Sequence, residues 1–262
     1  MCLILFANNV HPKYKLILAA NRDEFYKRST RPAQWWEDKT NVLAGKDLEG
    51  GGTWMGISKS GRIAALTNYR KLPITEKYDS TRGKLVTDFL EGNIPGAEYL
   101  PVLEDSKDEF DGYNLLFGNA DELYWYSNKE PLSRRTVLNL QTAPTQIESG
   151  IHGISNALLD TPWPKVEHGK EVLSTIVNES DQIDPNQLFD MLHNTDLAPD
   201  DDLPDTGIGI EFERILSAAF IKSPDYGTRI STIILIDNAN NVYFNERAFV
   251  PESNNLFEFT IS

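Results

Sequence analysis

The sequence is short of several things at once. It holds one cysteine, Cys2, so an intramolecular disulfide framework and a cysteine-based zinc site are both excluded. There are four histidines, His11, His152, His168 and His193, and no two have the His-Glu-X-X-His spacing of a metal helix. No run of about 18 apolar residues exists, so no helix is expected to span a membrane. Positive charge is also scarce. Lys and Arg total 25 against 39 Asp and Glu, for a net charge of −14, which argues against a non-specific nucleic-acid binder. The first nine residues lack a basic stretch before their apolar run and read as a buried strand rather than a signal peptide. A reducing cytoplasm suits a lone thiol. What remains is ordinary globular composition, 40% hydrophobic and 24% charged.

The layout is strands, then helices, then strands. Leu3–Asn9 and Leu16–Ala20 are apolar runs joined by the turn His11-Pro12-Lys13, with Asn21-Arg22-Asp23-Glu24 placed at the end of the second strand. Both runs are apolar on successive residues, as in a sheet covered on both faces. Gly50-Gly51-Gly52 precedes a second hairpin, Trp54–Ser58 with Arg62–Tyr69, turning through Lys59–Gly61. The triple glycine lacks the Gly-Lys-Ser/Thr and helix that a phosphate loop requires. Ser80–Leu90 has helical spacing, stopped by Gly92. Glu98–Gly112 reads as an acidic surface connection. Tyr113–Phe117 and Glu122–Ser127 form a hairpin about Gly118-Asn119, and Gly150–Ala157 is a short strand.

Asp160-Thr161-Pro162 starts a helix through Trp163–Asn178, with Val166, Val172, Leu173 and Ile176 as core positions, and Asp184–His193 forms another. Thr195–Gly209 is a loop. Leu216–Ile221, Thr228–Asp237, Asn241–Phe249 and Leu256–Ile261 are the closing strands. Segregated strands and helices imply an α+β fold, and with no repeat or low-complexity linker residues 1–262 read as one domain.

Cys2 carries the sharpest chemical suggestion. If Met1 is removed, one residue holds both a thiol and a free α-amine, whose ordinary pKa values of about 8.5 and about 7.7–8.0 make proton exchange nearly thermoneutral. Those are the nucleophile and base of N-terminal-nucleophile amide hydrolysis.

Asn21-Arg22-Asp23-Glu24, Gly51-Gly52-Thr53-Trp54-Met55-Gly56, Leu66-Thr67-Asn68-Tyr69-Arg70, Gly153-Ile154-Ser155-Asn156 and Tyr226-Gly227-Thr228-Arg229-Ile230-Ser231-Thr232 together resemble the NRDE family, that of transport and Golgi organisation protein two. The resemblance spans nearly the whole chain. It implies a four-layer αββα, N-terminal-nucleophile hydrolase-like sandwich of two mainly antiparallel sheets between helical layers. More weakly, the chain resembles bile-salt and penicillin V hydrolases. That likeness implies Cys2 as nucleophile, Asp23 as the holder of its amine, Asn156 in the oxyanion hole, and Arg214 or Arg229 as a distant arginine. Those enzymes' first arginine falls on Ala20; Arg22, two positions on, keeps the same strand face.

The expected activity is hydrolysis of a linear C–N amide bond in a small acylated substrate. Cys2, Asp23, Arg22 and Asn156 are the catalytic candidates, and Asn21, Asn68, Arg214, Arg229 and Trp54 the substrate contacts. No cofactor or metal is expected. Each residue has a structural alternative. Arg22 and Asp23 pair with each other, Asn68 closes a turn, Asn156 is a structural hydrogen-bonder, and Arg229 is a buried ion-pair partner. His152 is the only histidine near a candidate; His11, His168 and His193 belong on the surface. The competing functions are a non-catalytic carrier of haem, acyl-CoA or another lipid, and an interaction module for secretory traffic.

Overall fold

The computed structural model describes residues 2–70, 78, 80–129 and 145–262. It divides into two compact units, the first comprising Met1–Arg28, Arg70–Ile74 and Ser149–Thr260, the second Ser29–Tyr69, Thr75–Glu148 and Ile261–Ser262. Each is built on one antiparallel sheet with helices packed against it, so the α+β reading with two mainly antiparallel sheets holds.

The first unit's sheet has β1 (Cys2–Asn8), β2 (Tyr14–Phe25), β10 (Gly150–Ile154), β11 (Tyr226–Asp237), β12 (Asn241–Phe249) and β13 (Glu252–Thr260), in the order β10-β1-β2-β11-β12-β13. Every residue of β1 is buried, as its unbroken apolar run requires of an inner strand. Among the described residues this unit has the helices α3 (Pro164–Glu179), α4 (Pro185–Leu192) and α5 (Ile210–Ser217). Leu3, Leu5 and Ala7 of β1, Ile17 and Ala19 of β2, and Ile233 and Leu235 of β11 form one core with Val166, Leu173 and Ile176 of α3 and Leu188 and Leu192 of α4. Each such side chain, fully buried, contributes about 1.5–3 kcal/mol. Asp184 caps α4, its side chain accepting from the Asn186 backbone N–H.

The second unit's sheet runs β3-β4-β5-β6-β7-β8-β9: Thr30–Trp35, Val42–Asp47, Met55–Ser58, Ile63–Asn68, Tyr113–Gly118, Leu123–Ser127 and Thr145–Gln146. Helix α1 (Gly83–Glu91) lays Leu85, Val86, Phe89 and Leu90 into its core, and α2 (Leu100–Ser106) adds Leu100 and Leu103. The triple glycine has a steric purpose here. Gly51 sits at φ +76°, and a Cβ on Gly52 would stand 2.4 Å from the backbone carbon of Gly83, at the first residue of α1. The loop and the helix start touch backbone to backbone.

Several sequence expectations are corrected. Asn21-Arg22-Asp23-Glu24 does not follow β2 but lies inside it, because β1 and β11 pair with it on both sides. Glu98–Gly112 contains α2. Strands β3 and β4 were not foreseen, since their polar positions break the alternation. The first helical residue of α3 is Pro164, not Pro162. Leu216–Ile221 is no strand: Leu216 and Ser217 end α5, which begins after Gly209 at φ +85°. His11 is buried, bonded through Nε2 to the Ser180 carbonyl at 2.8 Å.

Gly52→Ala should lower stability by about 1–3 kcal/mol, because Gly83 offers backbone rather than a movable side chain. Urea denaturation checks this.

Candidate active site

The site grows out of the β1–β2–β11 pairing. Cys2 stands across from Arg22, and Leu3 across from Asn21. Strand alternation therefore sends Cys2 and Arg22 to one face and Asn21 and Asp23 to the other, where α3 and α4 lie. On that face both polar side chains are hydrogen-bonded. Asn21 Nδ2 donates to the Leu192 and Ala219 carbonyls, both at 2.8 Å, and its Oδ1 accepts from the Ser231 hydroxyl at 2.5 Å. Asp23 Oδ1 accepts from the Thr228 hydroxyl at 2.6 Å, and its carbonyl accepts from the Tyr226 hydroxyl at 3.1 Å. Arg22 pairs with Glu24 at 3.6 Å.

Asn156 arrives from the other side of β1. The β1–β10 ladder pairs Ile4 with Ile154, where β10 ends, and Asn156 follows two residues later. The Ser155 hydroxyl donates to the Cys2 carbonyl at 3.1 Å, which fixes that approach. Asn156 is fully buried, and its carbonyl accepts from the Arg70 backbone at 2.8 Å.

Burial pushes the Cys2 thiol up, and the Asp23 charge adds to this, while Arg22 and a hydrogen bond from the Asp23 backbone oppose it. The resting sulfur is a protonated thiol. Burial also raises Asp23, against the pull of Lys165, Thr228 and Arg22. Tyr226 is raised by burial and by the charges of Asp23 and Cys2.

Sequence reasoning missed a second layer of charge. Arg70 and Glu213 form a buried ion pair at 2.8 Å. Glu213 also accepts from the Thr206 backbone at 2.8 Å and from its hydroxyl, and Arg70 stacks over Trp163 at 4.7 Å. Lys165, also buried, bonds the Leu216 carbonyl at 2.8 Å. Burial lowers it to about 8, with Asp23 pulling the other way. A signal existed: Lys165 falls at helical spacing with Gly169, Leu173 and Ile176, on the buried stripe of α3.

The remaining candidates have other surroundings. Arg214 is held by Asp200 at 2.6 Å and by Glu211 on the surface. Arg229 is buried and ties chain segments together, donating to the carbonyls of Phe25, Arg28 and Val250. Asn68 ends β6 opposite Tyr113, and half-buried Trp54 precedes β5; both belong to the second unit. His152 binds Asp160 at 2.8 Å, and Asp160 in turn accepts from the Gly153 backbone, so the pair braces β10. Among the described residues no group of three or more His, Cys, Asp or Glu is placed to hold a metal ion. None of the described helices is long and apolar enough to cross a membrane.

Removing one partner of the Arg70–Glu213 pair leaves a buried charge uncompensated. Arg70→Met and Glu213→Gln should each cost about 3–5 kcal/mol in urea denaturation, and the double variant less than their sum.

The profile of the family described as Transport and Golgi organisation 2 matches residues 1–251. A Bos taurus transport and Golgi organization protein 2 homolog is 36% identical over 99% of this chain and 97% of its own length. The Homo sapiens homolog is 35% identical over 100% and 99%. The Drosophila melanogaster protein is 30% identical over 94% and 91%. Among solved structures, a C2A mutant of conjugated bile acid hydrolase from Clostridium perfringens aligns at a TM-score of 0.44, with 11% identity over 100% of this chain and 97% of that one. A Caenorhabditis elegans ortholog of N-acylethanolamine-hydrolyzing acid amidase aligns at 0.43, with 10% identity over 89% and 92%. The chain belongs to the Transport and Golgi organisation 2 family.

Proposed function

We propose that this protein is an N-terminal-cysteine hydrolase that cleaves the linear amide bond of a small acylated substrate. The observation that carries the reading is the position of Cys2, the one sulfur nucleophile, across from Arg22 and one residue from the buried Asp23 carboxylate. Because burial keeps the resting thiol protonated, attack needs a base beside it. Once Met1 is removed, the α-amine of Cys2 is that base, and Asp23 is the group to hold it through a charge-assisted hydrogen bond.

The thiol proton moves to the amine, and the thiolate sulfur bonds to the amide carbonyl carbon. The Asn156 side-chain amide donates to the oxyanion that develops. As the tetrahedral adduct collapses, the C–N bond breaks and the α-ammonium returns its proton to the leaving nitrogen. Water then adds to the thioester, releasing the carboxylic acid and restoring the thiol. Arg22, on the thiol's face, favours the thiolate at the moment of attack.

Intact mass of the natively expressed protein should show Cys2 as the first residue, and a panel of activated N-acyl amides should add one acyl group to it. Cys2→Ala should abolish both adduct and turnover. Asn156→Ala should lower kcat about 10²–10³-fold, as loss of one oxyanion donor does. Turnover that survives Cys2→Ala would sink the reading. Haemin or long-chain acyl-CoA bound equally by wild type and Cys2→Ala, without turnover, would replace it with a carrier.

A further inference from the structure

Two hydroxyls on β11 reach the buried polar segment of β2. Ser231 donates to Asn21 at 2.5 Å and Thr228 to Asp23 at 2.6 Å. Side chains three residues apart on a regular strand point to opposite faces, yet these two serve the same face. The strand register explains how. Ser231 stands across from Asn21 and Ile230 across from Arg22, but Thr228 stands across from Asp23, so Arg229 is the extra residue of a β-bulge. Without it, Thr228 would share the face of Arg22. A bulge beside a site re-aims a side chain in this way. Arg229 pins the bulge, its guanidinium donating to the carbonyls of Phe25, Arg28 and Val250.

The Thr228 hydroxyl is committed as a donor. Its oxygen accepts from the Ile221 backbone N–H at 2.9 Å, on the segment after α5. An N–H offers nothing to accept a proton, so the hydroxyl proton is left for Asp23 Oδ1. At 2.6 Å that bond has the length of a hydroxyl donating to a carboxylate anion. A proton on the Asp23 carboxyl would have to sit on Oδ2. Thr228, Asp23 and Ile221 are all buried, where a hydrogen bond is stronger than in water.

We propose that Thr228 is a positioning residue of the site: its hydroxyl, turned inward by the Arg229 bulge and held as a donor by Ile221, fixes the orientation of the Asp23 carboxyl group and favours its anion. Asp23 takes its role from the hydrolase reading, on which this proposal rests, but the hydroxyl–carboxylate contact needs no turnover. Other groups act on the same carboxylate. Burial raises it, while the amino terminus adjoining Cys2, Lys165 on α3, the Thr228 hydrogen bond and Arg22 on β2 lower it; Cys2 and Tyr226 are its acidic neighbours. All but the Thr228 bond are common to wild type and variants, so the difference isolates the hydroxyl. Losing that bond moves the Asp23 midpoint up, and the anion is then lost earlier as pH falls.

The test follows Asp23 by carboxyl-carbon NMR on the full chain, its signal assigned by Asp23→Asn, between about pH 3 and 10. Thr228→Val keeps the shape and loses the hydroxyl, and Thr228→Ala loses it too. Both should raise the Asp23 midpoint by about one unit or more. Thr228→Ser, which keeps the hydroxyl, should match the wild type. Stability alone does not decide, because Val and Ala also leave the Ile221 N–H unanswered.

A folded Thr228→Val or Thr228→Ala with the wild-type midpoint would overturn the proposal, as would a raised midpoint in Thr228→Ser. Should neither Val nor Ala variant fold by near-UV circular dichroism, proton NMR of the wild type decides. A Thr228 hydroxyl proton protected from exchange and shifting with the Asp23 titration supports the proposal; one in fast exchange with water overturns it. An unmoved midpoint in a protein that cleaves amides would leave the hydrolase reading standing alone. A raised midpoint in a protein that cleaves none would remove that reading and keep the Thr228 contact.

Discussion

The first unit depends on one constraint: a polar segment is buried in the middle of a sheet, and each of its groups must find a partner there. Asn21, Arg22 and Asp23 lie in β2 between β1 and β11 and are almost fully buried. An unanswered polar group in such a place costs about 1–3 kcal/mol. The surroundings are arranged accordingly. Asn21 bridges the end of α4 to the segment after α5 and receives Ser231, while Asp23 receives Thr228. These bonds also fix where α4 ends and where β11 must sit, so the motif serves as an architectural clamp as much as a site.

Charge is managed in the same way around it. Arg70 and Glu213 cancel each other inside the unit and anchor α5, whose outward residues Ile210 and Phe212 are largely exposed. With that pair closed, the charges left facing Cys2 are few and identifiable, and their directions are opposed. Burial works to neutralise the thiol, Asp23 and Lys165 alike, whereas the attraction between Lys165 and Asp23 works to keep those two ionised.

Much of this was legible in the sequence, and the failures have physical reasons. The apolar runs of β1, β11 and β12 and the periodicity of α1, α3 and α4 announced themselves, because burial on a fixed period leaves a trace in residue order. Strand β2 was cut short at Ala20 because polar residues signal a strand's end unless partners elsewhere answer them. Helix α5 was missed because two of its apolar residues face outward and one of its glutamates faces inward, the reverse of the usual pattern. The triple glycine's task in the fold, admitting the backbone of Gly83, involves a residue some thirty positions away.

By itself the sequence determined the α+β class, the family and the singularity of Cys2, since composition, motif and periodicity are local properties of the chain. Only the tertiary structure decided that Arg22 stands opposite Cys2 while Asp23 faces the helices. It also decided which groups Arg214 and Arg229 bind, and that Lys165, Arg70 and Glu213 are buried in the first unit. Those outcomes follow from strand register and from competition among charges for a few buried partners. Both arise between residues far apart in sequence, where no local pattern records them.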